Sequence, residues 1–88
     1  MAGAKIALAG LGAWGANHLR VWSSLGCLRA ICDADASRLQ TASQRFPQLQ
    51  CHSSLDELLA GSEVDAVVIA TPASTHAELA LQCLEAGK

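Results

Sequence analysis

Three glycines near the amino terminus have the spacing of a loop that holds phosphate groups. Gly10, Gly12 and Gly15 form the pattern G-x-G-x-x-G directly after a short apolar run. In such a loop the first glycine permits a tight turn, the second lets a pyrophosphate approach the backbone, and the third allows a helix to pack closely on a strand. Backbone amides near Ala13 and Trp14, at the positive end of a helix, would complete the anion site. The predicted loop comprises Gly10, Leu11, Gly12, Ala13, Trp14 and Gly15.

An acidic residue follows at a distance typical of a ribose-binding site. Asp33 comes 18 residues after Gly15, close to the expected spacing of about 20, at the end of a predicted strand. A carboxylate there accepts hydrogen bonds from both hydroxyls of the adenosine ribose and repels a 2′-phosphate, which predicts NAD rather than NADP. Arg38 lies shortly beyond and could accommodate a phosphate. The alternative is a tight turn followed by a helix-capping aspartate, with no ligand.

A third candidate region is the segment A-T-P-A-S-T-H, residues 70–76, after the last predicted strand. It leaves the sheet beside the first strand, at the point where open α/β sheets bind ligands. The residue types alone favour a helix start. In that interpretation Pro72 stops the strand, Ser74 or Thr75 caps the helix, and His76 lies in the solvated first turn.

Strands and helices must alternate to bring these regions together, and the apolar pattern predicts that they do. The predicted strands are Lys5–Ala9, Leu28–Asp33, Gln48–His52 and Ala66–Ala70. The predicted helices run from Ala13 to Leu25, from the cap at Asp35 to Pro47, from Ser54 to Gly61 and from Thr75 to Gly87. Because the strands lack polar–apolar alternation, they form a parallel sheet covered by helices on both faces. Right-handed crossovers give the strand order 3-2-1-4 of a doubly wound, Rossmann-like α/β fold.

Helical spacing predicts which side chains face the sheet. The predicted inner faces are Ala16, Leu19, Trp22 and Leu25 in the first helix, Leu39, Ala42 and Phe46 in the second, and Ala77, Ala80, Leu81 and Leu84 in the last. The segments S-L-D-E at 54–57 and T-H-A-E at 75–78 predict capping boxes at the starts of the third and fourth helices. The fourth strand is apolar throughout, which predicts burial on both of its faces.

Length and composition limit the partners. The chain has 88 residues, 51 % of them hydrophobic and 16 % charged, with a net charge of −2, as expected for one small folded domain. No basic patch is available to bind nucleic acid, and the longest apolar run, Ile6–Ala16, is too short to span a membrane. The four cysteines show no C-x-x-C pair and no metal-binding spacing. They predict free thiols in a reducing cytoplasm and no metal site.

The sequence resembles the Gfo/Idh/MocA family, named for glucose–fructose oxidoreductase and inositol dehydrogenase, over its whole length. The resemblance rests on the glycine loop, on ICDAD after the second strand and on VVIATPASTHAELALQCLEAGK. The family has a T-P-x-x-x-H loop before a helix that ends in A-G-K. The resemblance implies an oxidoreductase that transfers hydride between NAD(P) and a sugar, a sugar nucleotide or a related polyol. It also implies that Thr71, Pro72 and His76 line the nicotinamide-ribose side of the cofactor.

The segment GAWGANHLRVWSSLGCLRAICD is similar to the branch of the family that acts on sugar nucleotides, including UDP-sugar-acid 3-dehydrogenases. Trp14, Asn17 and Arg20 carry this likeness, which implies that Trp14 flanks the pyrophosphate. The residue types alone equally allow an aromatic side chain at a helix start that packs on the next loop.

Members of that family are several times longer than this chain. They continue after A-G-K into a fifth strand, an E-K-P motif whose lysine is catalytic, and a second α/β domain. The resemblance therefore implies that residues 1–88 form part of a dinucleotide-binding domain, without a substrate domain, a catalytic residue or activity of their own. A fourth strand with no fifth strand beside it would be an exposed apolar edge, which predicts self-association.

Three other functions stay open from the residues. A non-enzymatic sensor would bind a dinucleotide without hydride transfer. A methyltransferase also has a glycine-rich first loop and an acid after the second strand, although the T-P loop does not fit that class. A structural half-sheet would assemble and bind no ligand.

Overall fold

The computed structural model describes residues 4–61 and 63–88. Within these residues four strands alternate with four helices, as predicted. The elements, in chain order, are β1 (Ile6–Ala9), α1 (Ala13–Ser24), β2 (Leu28–Cys32), α2 (Ala36–Arg45), β3 (Gln50–His52), α3 (Leu55–Gly61), β4 (Ala66–Ile69) and α4 (His76–Glu85). A 3-10 turn, Ala73–Thr75, lies between β4 and α4.

The four strands pair in parallel, in the order β3-β2-β1-β4. This order confirms the predicted doubly wound, Rossmann-like α/β sheet. At its centre, Leu8 of β1 lies opposite Ile31 of β2 and Val68 of β4. The carboxyl ends of β2, β1 and β4 therefore lie side by side, and the loops that follow them share one edge of the sheet.

All four strands are one or two residues shorter than predicted, and two of these differences change the adjoining loops. β2 ends at Cys32, so Asp33 begins a loop instead of ending a strand. β3 begins at Gln50 because the amide of Leu49 donates to the carbonyl oxygen of Phe46 in a turn after α2. The first of these differences frees the acidic side chain for the site described below.

Apolar side chains are buried on both faces of the sheet, in two clusters. The first cluster, with α1 and α2, contains Ile6, Leu8, Leu11, Leu19, Leu28, Ile31, Ala42 and Leu49. The second cluster, with α3 and α4, contains Ala7, Ala9, Ala30, Cys32, Leu55, Leu58, Val64 and Cys83. The residues of β1 alternate between the clusters because successive side chains of a strand point to opposite faces. Burial on both sides explains why the central strands are apolar without alternation.

The predicted inner face is confirmed in α2 and only partly in α1. In α2, Leu39 and Ala42 face inward, and Phe46, which follows the last residue of the helix, packs against the same cluster. In α1, Leu19 is buried and Trp22 packs against the first cluster, whereas Ala16 is exposed. The prediction for Leu25 is wrong, because this residue follows the last turn of the helix and is 66 % exposed.

The inner face predicted for α4 is wrong at three of its four positions, and the fourth, Ala80, is half-buried. Leu81 and Leu84 are 57 % and 70 % exposed, and Ala77 is exposed as well. Leu79 and Cys83, one helical turn apart, pack in the second cluster instead. Apolar residues occur all around this helix, so its pattern allowed more than one inward face.

No helix in the described part of the chain has the length and apolar character needed to cross a membrane.

β4 lies at one edge of the described sheet. Its pairing partner there is β1, and all four of its residues are half-buried. The prediction that this strand is buried on both faces is confirmed only in part, because Ala66 and Val68 pack against the first cluster and Val67 and Ile69 against the second, but each stays partly exposed.

The predicted capping box of α3 is present, with a shift of one residue. The hydroxyl of Ser54 accepts a hydrogen bond from the amide of Glu57 (3.2 Å). The carboxylate of Glu57 accepts one from the amide of Ser53 (3.1 Å) and not from that of Ser54. Hydrogen bonds from the hydroxyl and the amide of Ser53 lower the pKa of Glu57.

Candidate functional site

Gly10 is the place where the glycine loop (residues 10–15) meets the β4–α4 loop (residues 70–75). Its φ is +103°, in the left-handed region that glycine adopts without strain. A Cβ at this position would lie 2.8 Å from the carbonyl carbon of Ala70 and 2.8 Å from the amide nitrogen of Thr71. The predicted tight turn is confirmed. The structure adds a second reason for glycine, because the backbone of the neighbouring loop leaves no room for a side chain.

Gly15, in the first turn of α1, lets this helix lie directly against the backbone of Gly10. A Cβ there would overlap the carbonyl oxygen of Gly10. This overlap confirms that the third glycine is required for close packing of the helix on the end of β1.

Gly12 has no such steric requirement. Its φ is −69°, which any residue adopts, and the atom nearest to an added Cβ is Nη1 of Arg38 at 3.7 Å. A side chain at Gly12 would therefore extend into open space and not into the protein. The same space is available to a ligand group that must come close to the backbone.

The start of α1 lacks side chains that would satisfy its first amides. Gly12 occupies the N-cap position and supplies no side-chain hydrogen bond, and the first turn contains no acidic residue. The amides of Ala13 and Trp14 therefore keep their partial positive charge for an anion.

The carboxylate of Asp33 is joined to the glycine loop. Its Oδ2 accepts a hydrogen bond from the amide of Leu11 (2.7 Å), and its Oδ1 accepts one from the amide of Asp35 (2.8 Å). Only 9 % of this side chain is exposed, so its orientation is fixed by the protein itself. The side chain of Leu11 is buried in the first cluster, and its contribution to the site is the backbone amide.

Arg38 lies beside Asp33. Its Nη1 is 3.8 Å from Oδ2 of Asp33, and its Nε is 3.8 Å from Oδ2 of Asp35. Asp35 caps α2 as predicted, since its carboxylate accepts hydrogen bonds from the amides of Ser37 (2.9 Å) and Arg38 (3.3 Å). The hydroxyl of Ser37, these two amides and the charge of Arg38 lower the pKa of Asp35. Arg38 therefore has an ionised carboxylate beside it at neutral pH.

The β4–α4 loop is held by hydrogen bonds among its own residues. Oγ1 of Thr75 donates to the carbonyl oxygen of Pro72 (2.7 Å) and lies 2.7 Å from Oγ1 of Thr71. Nε2 of His76, the first residue of α4, lies 2.6 Å from the carbonyl oxygen of Thr71. The predicted capping box at Thr75 is wrong. Residues 73–75 form a 3-10 turn, and the hydroxyl of Thr75 is bonded within the loop instead of to the amides of α4.

These regions line one cleft of about 710 Å³ at the carboxyl edge of the sheet. The predicted site residues that line it are Gly10, Gly12, Trp14, Asp33, Arg38, Thr71, Pro72 and His76. Trp14 is 76 % exposed, so its indole does not pack on a neighbouring loop. Leu11 and Gly15 are buried and do not line the cleft. Asn17 and Arg20 are exposed on α1 and do not line it.

Six further residues line the cleft that were not predicted individually as binding residues, three of them within the candidate segment 70–76, namely Ala34, Ala70, Ala73, Thr75, Glu78 and Leu79. Among these, Thr75 carries a recognisable signal. The sequence assigns its hydroxyl to a helix cap, but a second threonine, Thr71, stands at the start of the same short loop. In the structure the two hydroxyls lie 2.7 Å apart, within hydrogen-bond distance.

Cys32 immediately precedes Asp33 but is not a nucleophile. Burial, the charge of Asp33 and the proximity of Cys83 raise the pKa of its thiol to about 12, so it stays protonated at neutral pH. The four cysteines, all within the described residues, are free thiols: Cys27, Cys32, Cys51 and Cys83.

Comparison with known proteins identifies relatives over nearly the whole chain. Residues 4–88 match the model of the Gfo/Idh/MocA family, described as an oxidoreductase family with an NAD-binding Rossmann fold. The chain is 37 % identical over 87 residues to inositol 2-dehydrogenase 2 of Saccharopolyspora erythraea. It is 35 % identical over 86 residues to 4-carboxy-2-hydroxymuconate-6-semialdehyde dehydrogenase of Sphingobium sp. strain SYK-6. Each alignment covers 96 % of this chain, but 26 % and 27 % of those two enzymes respectively.

A similar solved structure is that of the WlbA dehydrogenase of Chromobacterium violaceum in complex with NADH and UDP-GlcNAcA. It superposes with a TM-score of 0.90 at 30 % identity, over 99 % of this chain and 26 % of that one. The chain thus spans about a quarter of the length of the proteins it matches.

Proposed function

The chain belongs to the Gfo/Idh/MocA family of oxidoreductases, and on that premise we propose that it binds NAD in the cleft between the glycine loop, Asp33 and the β4–α4 loop. One observation carries the proposal, namely the hydrogen bond of 2.7 Å from the amide of Leu11 to the carboxylate of Asp33. It joins a phosphate-binding loop to a ribose-binding acid. Both parts of an adenosine diphosphate site are therefore preformed in one unit.

The residues present fit a dinucleotide. The open space above Gly12 suits a pyrophosphate close to the backbone, and the amides of Ala13 and Trp14 would bind its oxygens. Trp14 would also flank the pyrophosphate, and Asp33 would accept hydrogen bonds from the adenosine ribose. The nicotinamide-ribose side would be lined by Thr71, Pro72 and His76.

Asp33 favours NAD over NADP, because its negative charge repels a 2′-phosphate. Arg38, at 3.8 Å from that carboxylate, offsets part of the repulsion. We therefore expect a preference for NAD that is moderate in size and sensitive to both side chains.

Bound NAD would supply the hydride acceptor of a dehydrogenase, and the residues of this chain would bind and orient it. We propose a sugar, a sugar nucleotide or a related polyol as the substrate class. Similarity to an inositol 2-dehydrogenase and to a dehydrogenase solved with UDP-GlcNAcA supports this choice. The proposal assigns residues 1–88 to part of the dinucleotide-binding domain, with no hydride transfer by these residues alone. It places the protein in the cytoplasm on account of its free thiols.

Calorimetric titration of the chain with NAD and with NADP tests the cofactor proposal. Asp33→Asn keeps the size of the side chain and removes its charge. Loss of a charge-assisted hydrogen bond should weaken NAD binding about 10- to 100-fold. It should also reduce the preference for NAD over NADP. Arg38→Ala is the matched control, since it leaves Asp33 in place and should reduce the affinity for NADP more than that for NAD.

Circular dichroism of each variant separates loss of binding from loss of folding. An unchanged NAD affinity in folded Asp33→Asn would contradict the assignment of the ribose site. If the folded wild-type chain binds no NAD, the glycines serve only the turn and the proposal is wrong.

A separate observation favours self-association of the chain. All four residues of β4 are half-buried at the sheet edge, and Leu81 and Leu84 of the following helix are exposed. We propose that two copies associate along this edge, since unpaired apolar strands recruit other strands. Sedimentation equilibrium over a wide range of concentrations tests this, and a monomer at the highest concentration would contradict it.

A further inference from the structure

We infer that Glu78 is a specificity-determining residue of the cleft, whose carboxylate makes the site bind the oxidised dinucleotide more tightly than the reduced one. The inference rests on the proposed function, because it requires NAD in the cleft. It adds a residue outside the predicted site and a property that the predicted residues do not explain, namely discrimination between NAD⁺ and NADH. The two forms differ in charge at the nicotinamide ring, which is cationic in NAD⁺ and neutral in NADH.

Glu78 borders the cleft from the first turn of α4. It lines the cleft together with Thr75 and Leu79. Positions 75, 78 and 79 share one face of a helix, so the cleft continues from the β4–α4 loop along the side of α4. The packing of Leu79 in the second cluster holds this side of the helix toward the sheet. A nucleoside whose ribose lies at the β4–α4 loop would therefore have its base next to Glu78.

Full charges are carried by three of the described residues that line the cleft, and Glu78 stands apart from the other two. Asp33 and Arg38 form an ion pair, with 3.8 Å between Oδ2 and Nη1, so their charges largely cancel at the adenosine end. Glu78 is exposed, and within residues 4–61 and 63–88 no cationic side chain lies at ion-pair distance from it. Its charge is therefore available to a ligand.

The backbone beside Glu78 carries partial positive charge, which opposes that of the carboxylate. Neither the 3-10 turn nor α4 has a side chain that caps its first amides, and the turn runs directly into the helix. A helix N-terminus is equivalent to about half a positive charge, whereas the carboxylate carries a full negative one. The net charge at this end of the cleft is therefore negative.

The charge of the cleft changes along its length in the order that complements NAD⁺. The paired charges of Asp33 and Arg38 lie at one end, the uncapped amides of α1 lie in the middle, and Glu78 lies at the other end. The corresponding parts of NAD⁺ are the neutral adenosine, the negative pyrophosphate and the cationic nicotinamide ring. NADH matches the first two parts of the cleft and lacks the cation that the third would attract.

Calorimetric titration of the whole chain with NAD⁺, NADH and ADP-ribose tests the inference. ADP-ribose lacks the nicotinamide ring and therefore reports on the rest of the site. In Glu78→Gln the ratio of the affinities for NAD⁺ and NADH should fall about 2- to 5-fold, as expected for the loss of one exposed charge near the ring. The ratio for NADH and ADP-ribose should stay as in wild type. Titration at about pH 8, where an ordinary histidine is neutral, removes any effect of charge on His76.

Glu85→Gln is the matched control, because Glu85 is the last residue of the same helix, is exposed and does not line the cleft. It removes the same charge from the chain and should leave the ratio for NAD⁺ and NADH unchanged. Circular dichroism of both variants checks that they fold. Raising the salt concentration to about 1 M provides a second test that needs no variant. It should lower the wild-type ratio for NAD⁺ and NADH, since salt screens exposed charges.

A selective loss of affinity for NAD⁺ in Glu78→Gln supports the inference. The inference is wrong if Glu78→Gln keeps the wild-type ratio for NAD⁺ and NADH, if it weakens all three ligands by the same factor, or if Glu85→Gln lowers the ratio as much. If Glu78→Gln does not fold, a wild-type ratio that is independent of salt overturns the inference. Each of these results leaves the proposed function intact as long as the wild-type chain binds NAD⁺. If the folded wild-type chain binds none of the three ligands, the proposed function fails as well.

Discussion

The glycine loop and the β4–α4 loop form two walls of one cleft, and they are held in shape by different kinds of constraint. The glycine loop is shaped by steric limits, because Gly10 has a positive φ and Gly15 lies against the backbone of Gly10. The β4–α4 loop is shaped by hydrogen bonds that join Thr71, Pro72 and Thr75. Steric limits can be recognised from residue type and spacing. A hydroxyl has several possible partners, and the choice among them is made only in the folded chain.

The largest effect is expected where the two walls touch. Gly10→Ala places a Cβ 2.8 Å from backbone atoms of both Ala70 and Thr71, at a φ of +103°. Strain at positive φ and overpacking each cost roughly 1–3 kcal/mol, so the free energy of unfolding should fall by about 2–6 kcal/mol. Urea unfolding followed by circular dichroism measures this change.

Gly26→Ala is the matched control for the close approach of the two walls. Gly26 also has a positive φ, +75°, but nothing lies within 4 Å of an added Cβ. The free energy of unfolding of Gly26→Ala should therefore fall only by the conformational cost of about 1–2 kcal/mol. Equal losses in the two variants would mean that the contact between the loops contributes nothing.

The glycine loop and the order of the strands in the sheet were predictable from the sequence. Apolar runs without alternation identify the strands, and the glycine spacing identifies the turn after β1. Asp35 also caps α2 as its residue type predicts. Each of these signals is local, since it depends on neighbours within a few positions of the chain.

The features that the sequence did not reveal depend on distant or competing partners. The bond between Leu11 and Asp33 joins residues 22 positions apart, and no local pattern encodes it. Thr75 matches a capping box, yet its hydroxyl is bonded to Pro72. In α4, Leu81 is apolar like Leu79 but lies on the exposed side, because only the packing against the second cluster distinguishes them.

A smaller effect on stability is expected at Asp35, the N-cap residue of α2, and it should depend on pH. The pKa of Asp35 in the folded chain is below its ordinary value of 3.8. Folding therefore favours the ionised form, and its stabilisation is present above that value and lost as the pH falls through the folded pKa. Asp35→Ala should lower the midpoint of thermal unfolding by a few degrees at neutral pH.

Thermal unfolding of wild type and Asp35→Ala at a series of pH values measures this dependence. The difference between their midpoints should shrink as the pH falls below the ordinary pKa of the carboxyl group. A difference that stays constant down to strongly acidic pH would mean that the charge of Asp35 plays no part in capping α2.

The central claim is that the space above Gly12 holds the pyrophosphate of NAD, and calorimetric titration of Gly12→Ala with NAD tests it most directly. The added methyl group meets only Arg38, at 3.7 Å, so the variant should unfold close to the wild-type midpoint. The account predicts that the wild-type chain binds NAD and that folded Gly12→Ala binds it at least about tenfold more weakly, since the methyl group blocks the approach of the phosphates. Wild-type affinity in Gly12→Ala would contradict the account, because the pyrophosphate would then lie elsewhere.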